Sequence, residues 1–327
     1  MPSTKELRRR IRSVKNTAQI TKAMQMVAAT KMRRAQNTAL NGRPYSETLQ
    51  QVITELMPAI NLGMNPLLQE NDSTKTAVLL LTTDKSLCGA LNSNVLRVAQ
   101  QFCASSRTES ERSADLSSRR NDKREVIFFT LGKKGRDFVV KTGKDLEADF
   151  ENSDVIDYRT VKQIANILIQ SFLEQKIGEV YILYPDFVST LKQEPKLEKI
   201  LPISQSELLK SLSVSGLTNT TSSRTNVRDL QISRSARNDA QQDEFIFDTS
   251  KQQLLDFVLT HFIQQKIYQS MLETKASEHS ARMIAMKNAT DSASDLVTDL
   301  NLAYNRTRQE GITKELLEIT SALAALD

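Results

Sequence analysis

The stretch "KNTAQITKAMQMVAATKMRRAQ", Lys15 to Gln36, lies within a segment from Ser3 to Asn41 that contains neither glycine nor proline. Because these two residues are the strongest helix breakers, the segment predicts one helix of about 39 residues, roughly 58 Å long. Gly42 and Pro44 could end or kink this helix, and Pro58 is expected to end it. A helix of this length is stable only when one face is buried, so it requires a partner.

The opening segment is also strongly basic. Residues 1–34 contain ten Lys or Arg and a single acid, Glu6, which is a net charge of +9 in a chain whose total is +5. A solvated helix face usually intersperses Glu among its Lys and Arg. This segment therefore indicates an acidic partner, which could be nucleic acid, an anionic membrane surface or an acidic protein surface.

The end of the chain predicts the partner helix. No proline follows Pro202 and no glycine lies between Gly216 and Gly311, so a helix of about 65 residues or more, close to 100 Å, is allowed. Apolar or small residues recur there at alternating steps of three and four, as in a coiled-coil seam: Met286, Ala289, Ala293, Leu296, Leu300 and Ala303. The opening helix offers a matching seam that begins at Leu7, Ile11, Val14 and Ala18 and then shifts through Ile20, Met24, Val27 and Ala28.

Antiparallel pairing of the two helices at equal rise makes the numbers of facing residues sum to about 304. Ser3 then lies near Asn301, and about 25 C-terminal residues project beyond the pair. Beyond Gly311 a new apolar stripe begins at Ile312. The tip "LLEITSALAALD" is apolar and narrow, so we expect another protein to enclose it.

The central segment has a different pattern. Short runs of strand-forming residues at Thr76–Asp84, Arg124–Gly132 and Gly178–Asp186 alternate with helical stretches at Ala90–Cys103 and Val161–Gln175, which predicts a parallel α/β sheet. Two polar tracts, residues 104–123 and 204–243, are predicted to be disordered surface insertions. The predicted fold class is α/β: a long antiparallel coiled coil of the terminal helices (residues 1–57 and 245–327) with a central Rossmann-like α/β domain (residues 75–203).

Three motifs together indicate a family: "IRSVKNTAQITKAMQMVAATKMRRAQ" (Ile11–Gln36), "TTDKSLCGALNSNV" (Thr82–Val95) and "ASEHSARMIAMKNATDSASDLVTDLNLAYNRTRQEGITKELLEI" (Ala276–Ile319). In order and spacing they closely resemble the gamma subunit of the rotary ATP synthase. The resemblance extends over nearly the whole chain except the two polar tracts. It implies a central rotor shaft of a proton- or sodium-driven ATP synthase, which couples rotation of the membrane ring to the catalytic β subunits and is not itself catalytic.

The resemblance also implies the partners and the location. The shaft is expected to stand inside a hexamer of α and β subunits, in a ratio of three α and three β to one shaft, and its body is expected to contact the epsilon subunit and the membrane c-ring. No nucleic acid and no direct membrane insertion are expected. The predicted location is the cytoplasmic face of a bacterial plasma (inner) membrane, as a peripheral subunit.

Individual residues are assigned to the hexamer contact only where they match the family motifs. Met24 and Arg282 match positions near a β-subunit loop, and Cys88 lies in the Leu-Cys-Gly motif beside the same loop, where Lys85-Ser86 replaces the usual Arg-Gly. Upper-shaft positions are matched by five residues of the last motif. The predicted contact residues are Lys22, Met24, Asp84, Lys85, Cys88, Arg282, Arg308, Gln309, Thr313, Glu315 and Glu318.

Simpler interpretations of these residues remain open at the level of sequence. Met24 can be an ordinary seam residue, Cys88 an ordinary buried cysteine, and the upper-shaft residues a solvated helix face. Two other classes of protein are also compatible with parts of the sequence. A coiled-coil nucleic-acid-binding protein accounts for the basic segment, although residues 1–44 contain no aromatic residue, and an α/β enzyme accounts for the central sheet.

The residues give little support to catalysis or cofactor binding. The body lacks both GxGxxG and GxxxxGK[ST], and "LGKKG" at Leu131–Gly135 is too short to be the latter. The two cysteines do not form a CxxC motif. His261 and His279 are expected to be solvated helix residues. No catalytic residue, metal or cofactor is therefore predicted.

Overall fold

Two long helices dominate the computed structural model, which describes residues 3–56, 65–71, 73–112, 125–153, 155–203 and 251–324. Helix α1 spans Thr4–Leu56 and contains both Gly42 and Pro44. Helix α5 spans Lys251–Ala324, 74 residues, and packs antiparallel along α1. The predicted fold class, a terminal coiled coil with a central α/β domain, is confirmed.

Five strands and three helices form the central α/β body. In chain order they are β1 (Thr76–Leu81), α2 (Leu91–Arg112), β2 (Val126–Leu131), α3 (Lys133–Lys141), β3 (Asp145–Phe150), α4 (Tyr158–Leu173), β4 (Glu179–Phe187) and β5 (Gln193–Leu201), and a short 3-10 turn at Pro66–Leu68 precedes β1. The strand order is β3-β2-β1-β4-β5. The first four strands are parallel, and β5 is antiparallel to β4.

The sheet is buried on both faces, which explains why β1 is a continuous apolar run. Leu79 and Leu81 face one side, where α4 and the lower part of α5 cover the sheet. Val78 and Leu80 face the other side, which is covered by α2 and α3. Because α5 supplies core residues to the body and then continues as half of the coiled coil, the shaft and the body share one element.

Three body elements were not predicted from the sequence. Strand β3, "DLEADF", alternates exposed and half-buried residues at one sheet edge, and β5 carries Pro195 and several charges at the other. The prediction relied on apolar runs, which edge strands do not need. Helix α3 was missed because it has only nine residues.

Part of the first polar tract is helical rather than disordered. Helix α2 continues to Arg112, so the disorder predicted for residues 104–112 is wrong. This stretch contains no glycine or proline, and its Ala, Arg and Glu residues are compatible with a helix that α2 has already nucleated. The remainder of this tract, together with the second tract (204–243) and the predicted helix start at residue 245, lies outside the described residues.

The seam of α1 differs from the predicted one. Ile20 is 61% exposed and Val27 is 56% exposed, so the predicted phase shift is wrong. The spacing of three and four instead continues through Thr21 to the buried Ala28. The hydroxyls of Thr21 and Thr290 are hydrogen bonded across the seam at 2.7 Å. A prediction of the seam from apolar residues alone misses such a pair, in which two polar side chains satisfy each other's hydrogen bonds.

The seam of α5 also differs in part from the predicted one. Leu296 is 47% exposed, whereas the neighbouring Val297 is half-buried; Ala303 is exposed, whereas Tyr304 is half-buried. Met286 and Ala293 are buried as predicted. Apolar side chains are therefore left on the outer surface of both helices.

The pairing register also differs from the prediction. The guanidinium of Arg8 donates to the hydroxyl of Tyr304 at 3.1 Å, whereas equal rise would place Arg8 opposite Leu296. Near the body, Tyr45 contacts His261, close to the predicted position. The segment of α5 between these contacts is longer than the matching segment of α1, so α5 follows the longer path. The described tip of α5, residues 308–321, is entirely exposed beyond the start of α1.

The backbone at Gly132 lies close to that of Thr82, and substitution of this glycine tests whether the contact contributes to the stability of the body. Gly132 has a φ of 98°, and an added Cβ would lie 2.4 Å from the carbonyl oxygen of Thr82. We expect Gly132→Ala to lower the free energy of unfolding by about 2 kcal/mol in urea denaturation. Gly143 has a φ of 63° but open space around it, so Gly143→Ala should lose only about 1 kcal/mol. Equal losses in the two variants would contradict a contribution from the close approach.

Candidate partner-contact sites on the shaft and neck

A buried group of charges lies where α5 leaves the body. The carboxylate of Glu278 is 2.8 Å from Arg282 Nη2 and 3.7 Å from Lys275 Nζ, and the side chains of all three residues are almost fully buried. Lys275 also donates to the carbonyl of Asn152 at 3.3 Å, and Arg282 Nη2 is 3.5 Å from the carbonyl oxygen of Ser86. We call this group, Lys275, Glu278, Arg282 and Asn152, the neck cluster.

The neck cluster is joined to the loop that follows β1. Asn152 donates to the carbonyl of Thr82 at 2.7 Å, and the Thr82 hydroxyl accepts from the backbone N–H of Gly135 at 2.8 Å. Asp84 Oδ1 accepts, at 2.9 Å, from the backbone N–H of Lys133, the first residue of α3. The carboxyl ends of β1 and β3 are thereby held against α5, and the first turn of α3 is joined to the same loop.

His279 is buried within the same turn of α5, 4% exposed, so the prediction of a solvated residue is wrong. Its pKa is lowered to about 4, chiefly by burial and also by the positive charges of Arg282, Lys275 and Lys31, against the opposing effect of the Glu278 carboxylate. At neutral pH the imidazole is therefore uncharged. Its Nδ1 has no hydrogen-bond partner among the described residues.

Four predicted contact residues meet at this neck. Cys88 is buried, and its sulfur accepts from Asn92 Nδ2 at 3.3 Å. Lys85 is exposed, and its carbonyl accepts from the Thr83 hydroxyl at 2.8 Å. Asp84 is half-buried and the side chain of Arg282 is almost fully buried, and both point inward through their hydrogen bonds. Only Lys85 presents its side chain fully to the surface, and it does so next to the exposed Leu87.

The remaining predicted residues lie along the shaft. Lys22 is exposed on α1 and Met24 is half-buried. Five lie on the uncovered tip of α5, where each is exposed: Arg308, Gln309, Thr313, Glu315 and Glu318. Their polar contacts are local, as in the bond from the Thr313 hydroxyl to the Gln309 carbonyl and the pair of Lys314 with Glu318.

The sequence interpretation missed Lys275, Glu278 and Asn152. The signal for two of them was present in "KASEHSAR", where charges at steps of three and four stand among Ala and Ser in a helix. Small neighbours allow another layer to approach closely, which buries those charges. Asn152 had no such signal, because it acts through the tertiary position of the β3–α4 loop.

The described ranges contain no group of three or more His, Cys, Asp or Glu placed to hold a metal ion. None of the helices in those ranges combines the length and the apolar character that a bilayer span requires. The observed features are a paired-helix rod, an α/β body built around its lower half, and apolar and charged side chains left uncovered along the rod. These features define a stalk subunit of a larger assembly.

Comparisons with known proteins identify the assembly. Residues 3–326 match the family described as ATP synthase. The chain is 39% identical to the ATP synthase gamma chain of Methylacidiphilum infernorum, over 100% of both chains, and 40% identical to that of Roseiflexus castenholzii, over 100% of this chain and 99% of the relative. A chain in a cryo-EM structure of the Euglena gracilis mitochondrial ATP synthase shares the fold, with a TM-score of 0.58 and 18% identity over 99% of this chain and 94% of that chain.

The chain therefore belongs to the ATP synthase gamma chain family. As a gamma chain it is the central-stalk rotor subunit of an ATP synthase complex and is not itself catalytic.

Proposed function

We propose that this chain couples rotation of a membrane c-ring to the catalytic sites of three β subunits in a hexamer of three α and three β subunits, with an epsilon subunit beside its body. The driving ion is either a proton or sodium. We place the assembly at the cytoplasmic face of a bacterial plasma membrane, with this chain as a peripheral subunit and without nucleic acid as a partner.

The observation that carries this proposal is the uncovered outer surface of the paired helices. Ile20, Met26 and Val27 on α1 are each more than half exposed, although the seam beside them is buried. Leu302, Leu316 and Leu317 on α5 are likewise exposed. Apolar patches of this kind on a stable rod indicate a surface that a partner covers.

The charge of α1 fits the same partner. Lys22 and most of the other basic residues of its N-terminal half are exposed, and few of them have acidic neighbours on α1. An acidic loop on the β subunits would complement them. Each exposed pair contributes up to about 1 kcal/mol, so the charge serves mainly to orient the partner.

A single rod inside a ring of three equivalent sites must present a different face to each site. The two helices of this rod differ in charge and in exposed apolar residues, so the rod has no rotational symmetry. The affinity of each site then depends on the face that it meets, through differential contacts with the rod. In this scheme the neck cluster holds Arg282 and the loop around Lys85 in one orientation relative to the rod.

Purification of the complex through a tagged β subunit tests the proposal. We expect α, β and this chain in a ratio of three to three to one. In the double variant Ile20→Asp and Val27→Asp, retention of this chain in the purified complex should fall at least about tenfold. Two apolar side chains that the partner covers are there replaced by carboxylates.

Val140→Asp is the matched control, because Val140 is 63% exposed on α3 of the body rather than on the rod. Its retention should equal that of the unmodified chain. Failure of the unmodified chain to copurify with α and β subunits would contradict the proposed assembly, and equal losses in both variants would contradict the role of the rod surface.

A further inference from the structure

Helix α1 has one intrinsically weak segment. It continues through Gly42 and Pro44 without interruption. Proline has no N–H to donate to the carbonyl four residues earlier, and its ring crowds that carbonyl. Glycine is the least favourable helix residue after proline, and an added Cβ at Gly42 would meet nothing within 4 Å. The rod therefore bends most easily here, unless other contacts support it.

A contact to α5 follows directly after this segment. The hydroxyl of Tyr45, the residue after Pro44, is hydrogen bonded to Nε2 of His261 on α5. The two rings also meet edge to face, with their centroids 5.6 Å apart and their planes at 88°. The two helices of the shaft are thus joined at the first residue below the weak segment.

The second nitrogen of the same imidazole reaches the body. Nδ1 of His261 lies 3.3 Å from the hydroxyl of Tyr158, the first residue of α4. The Tyr158 hydroxyl donates its proton to Oε1 of the buried Gln264 at 3.1 Å. His261 is therefore half-buried between three elements, which contradicts the solvated position expected from the sequence.

The direction of the hydrogen bonds follows from the number of protons. Because Tyr158 uses its only hydroxyl proton for Gln264, it must accept from Nδ1–H of His261. In the neutral imidazole Nε2 then carries no proton and accepts from Tyr45. A single chain of donors runs from Tyr45 on α1, through His261 on α5, to Tyr158 on α4 and Gln264.

Aromatic packing restricts the rings that make these bonds. Phe257 stacks parallel to His261 at 6.2 Å, and Tyr268 lies edge to face with Tyr158 at 6.0 Å. Tyr268 thus flanks the ring of Tyr158, and Phe257, itself 70% exposed, flanks that of His261.

We propose that Tyr45, His261 and Tyr158 form a clamp that supports α1 at Gly42–Pro44 and transmits torque between the α/β body and the shaft. All three are positioning residues. The proposal rests on the coupling function proposed above. Helix α1 is otherwise held mainly by α5. The clamp connects α1, through His261 on α5, to α4 of the body, and this connection gives the site its mechanical role.

Tyr45→Phe, His261→Phe and Tyr158→Phe each remove clamp hydrogen bonds while an aromatic ring is kept. Tyr268→Phe is the matched control, since Tyr268 contacts the same ring of Tyr158 but its hydroxyl has no hydrogen bond within the described part of the chain. Amide hydrogen exchange in the assembled complex measures the effect. We expect exchange of residues 45–56 to accelerate about fivefold in Tyr45→Phe and His261→Phe, the factor for one net hydrogen bond. The control should match the unmodified complex.

The double variant of Tyr45→Phe and His261→Phe should exchange no faster than His261→Phe alone, because both changes break the same link. We also expect His261→Phe to lower the ratio of ATP-driven ion transport to ATP hydrolysis. A merely structural role would lower the melting temperature and the yield of complex but leave that ratio unchanged.

Exchange of residues 45–56 at the rate of the unmodified complex in Tyr45→Phe would overturn the clamp. So would an equal acceleration in Tyr268→Phe. Tyr45 is half-exposed, so its variant should fold, and the exchange result decides the clamp whether or not the complex couples transport to hydrolysis. An unmodified complex that hydrolyses ATP without transport would instead contradict the proposed function.

Discussion

Replacement of Glu278 by alanine is expected to lower the free energy of unfolding by about 3–5 kcal/mol. Glu278 is the only carboxylate in the neck cluster, and it lies between Arg282 at 2.8 Å and Lys275 at 3.7 Å. Without it the buried cations Arg282 and Lys275 lose the carboxylate that lies between them. Removal of one partner from a buried ion pair is among the most destabilising single changes. Urea denaturation followed by circular dichroism measures the loss.

Glu310→Ala is the matched control for this prediction. Glu310 also pairs with an arginine one turn away on α5, Arg306 at 2.9 Å, but both side chains are exposed. Its loss should lie within about 1 kcal/mol. If Glu278→Ala unfolds at the same urea concentration as Glu310→Ala, the neck cluster does not hold the shaft to the body as its burial indicates.

Stability is also expected to fall by about 3 kcal/mol between pH 6.5 and pH 4 because of His279. Burial lowers the pKa of this imidazole from 6.5 to about 4. In that interval the unfolded chain binds a proton on His279 that the folded chain does not bind. The contribution is complete above pH 6.5 and is lost progressively as the pH falls toward 4. The unfolding free energy changes through His279 by at most about 1.4 kcal/mol per pH unit.

His279→Gln isolates this contribution, because glutamine occupies a similar length and does not titrate. The difference in unfolding free energy between the native chain and the variant should change with pH only between pH 4 and 6.5. Parallel stability curves for the two chains across this interval would show that His279 does not titrate differently on unfolding, and so would contradict its burial in neutral form.

The neck and the clamp hold the shaft at two heights. At the upper level, the neck cluster connects α5 to the carboxyl ends of β1 and β3 through Thr82 and Asn152. At the lower level, His261 connects α5 to both α1 and α4. A rod held at two separated levels resists both tilting and twisting relative to the body, as a rotor that delivers torque requires.

The sequence supported some site residues better than others. Arg282 and Cys88 were found through motifs, and both lie at the neck as buried or half-buried residues. Whether they touch a β subunit, and whether Lys22, Met24 and the five tip residues touch the hexamer, remain predictions. Glu278 and His279 were not chosen because charge within a helix usually indicates a solvated face. Burial of a charge depends on which other element packs over it, and the local sequence does not specify that.

The sequence by itself determined the two long helices, the parallel strands and the coiled-coil class, because helix breakers, apolar runs and the spacing of three and four act over a few residues. Tertiary structure decided the path of the seam through Thr21, the register of Arg8 with Tyr304, the edge strands, the half-buried position of His261 and the burial of His279. Each of these depends on contacts between residues far apart in the chain. A polar residue on a seam or in a core is stable only when its partner arrives from another element, and that partner becomes known only in the folded molecule.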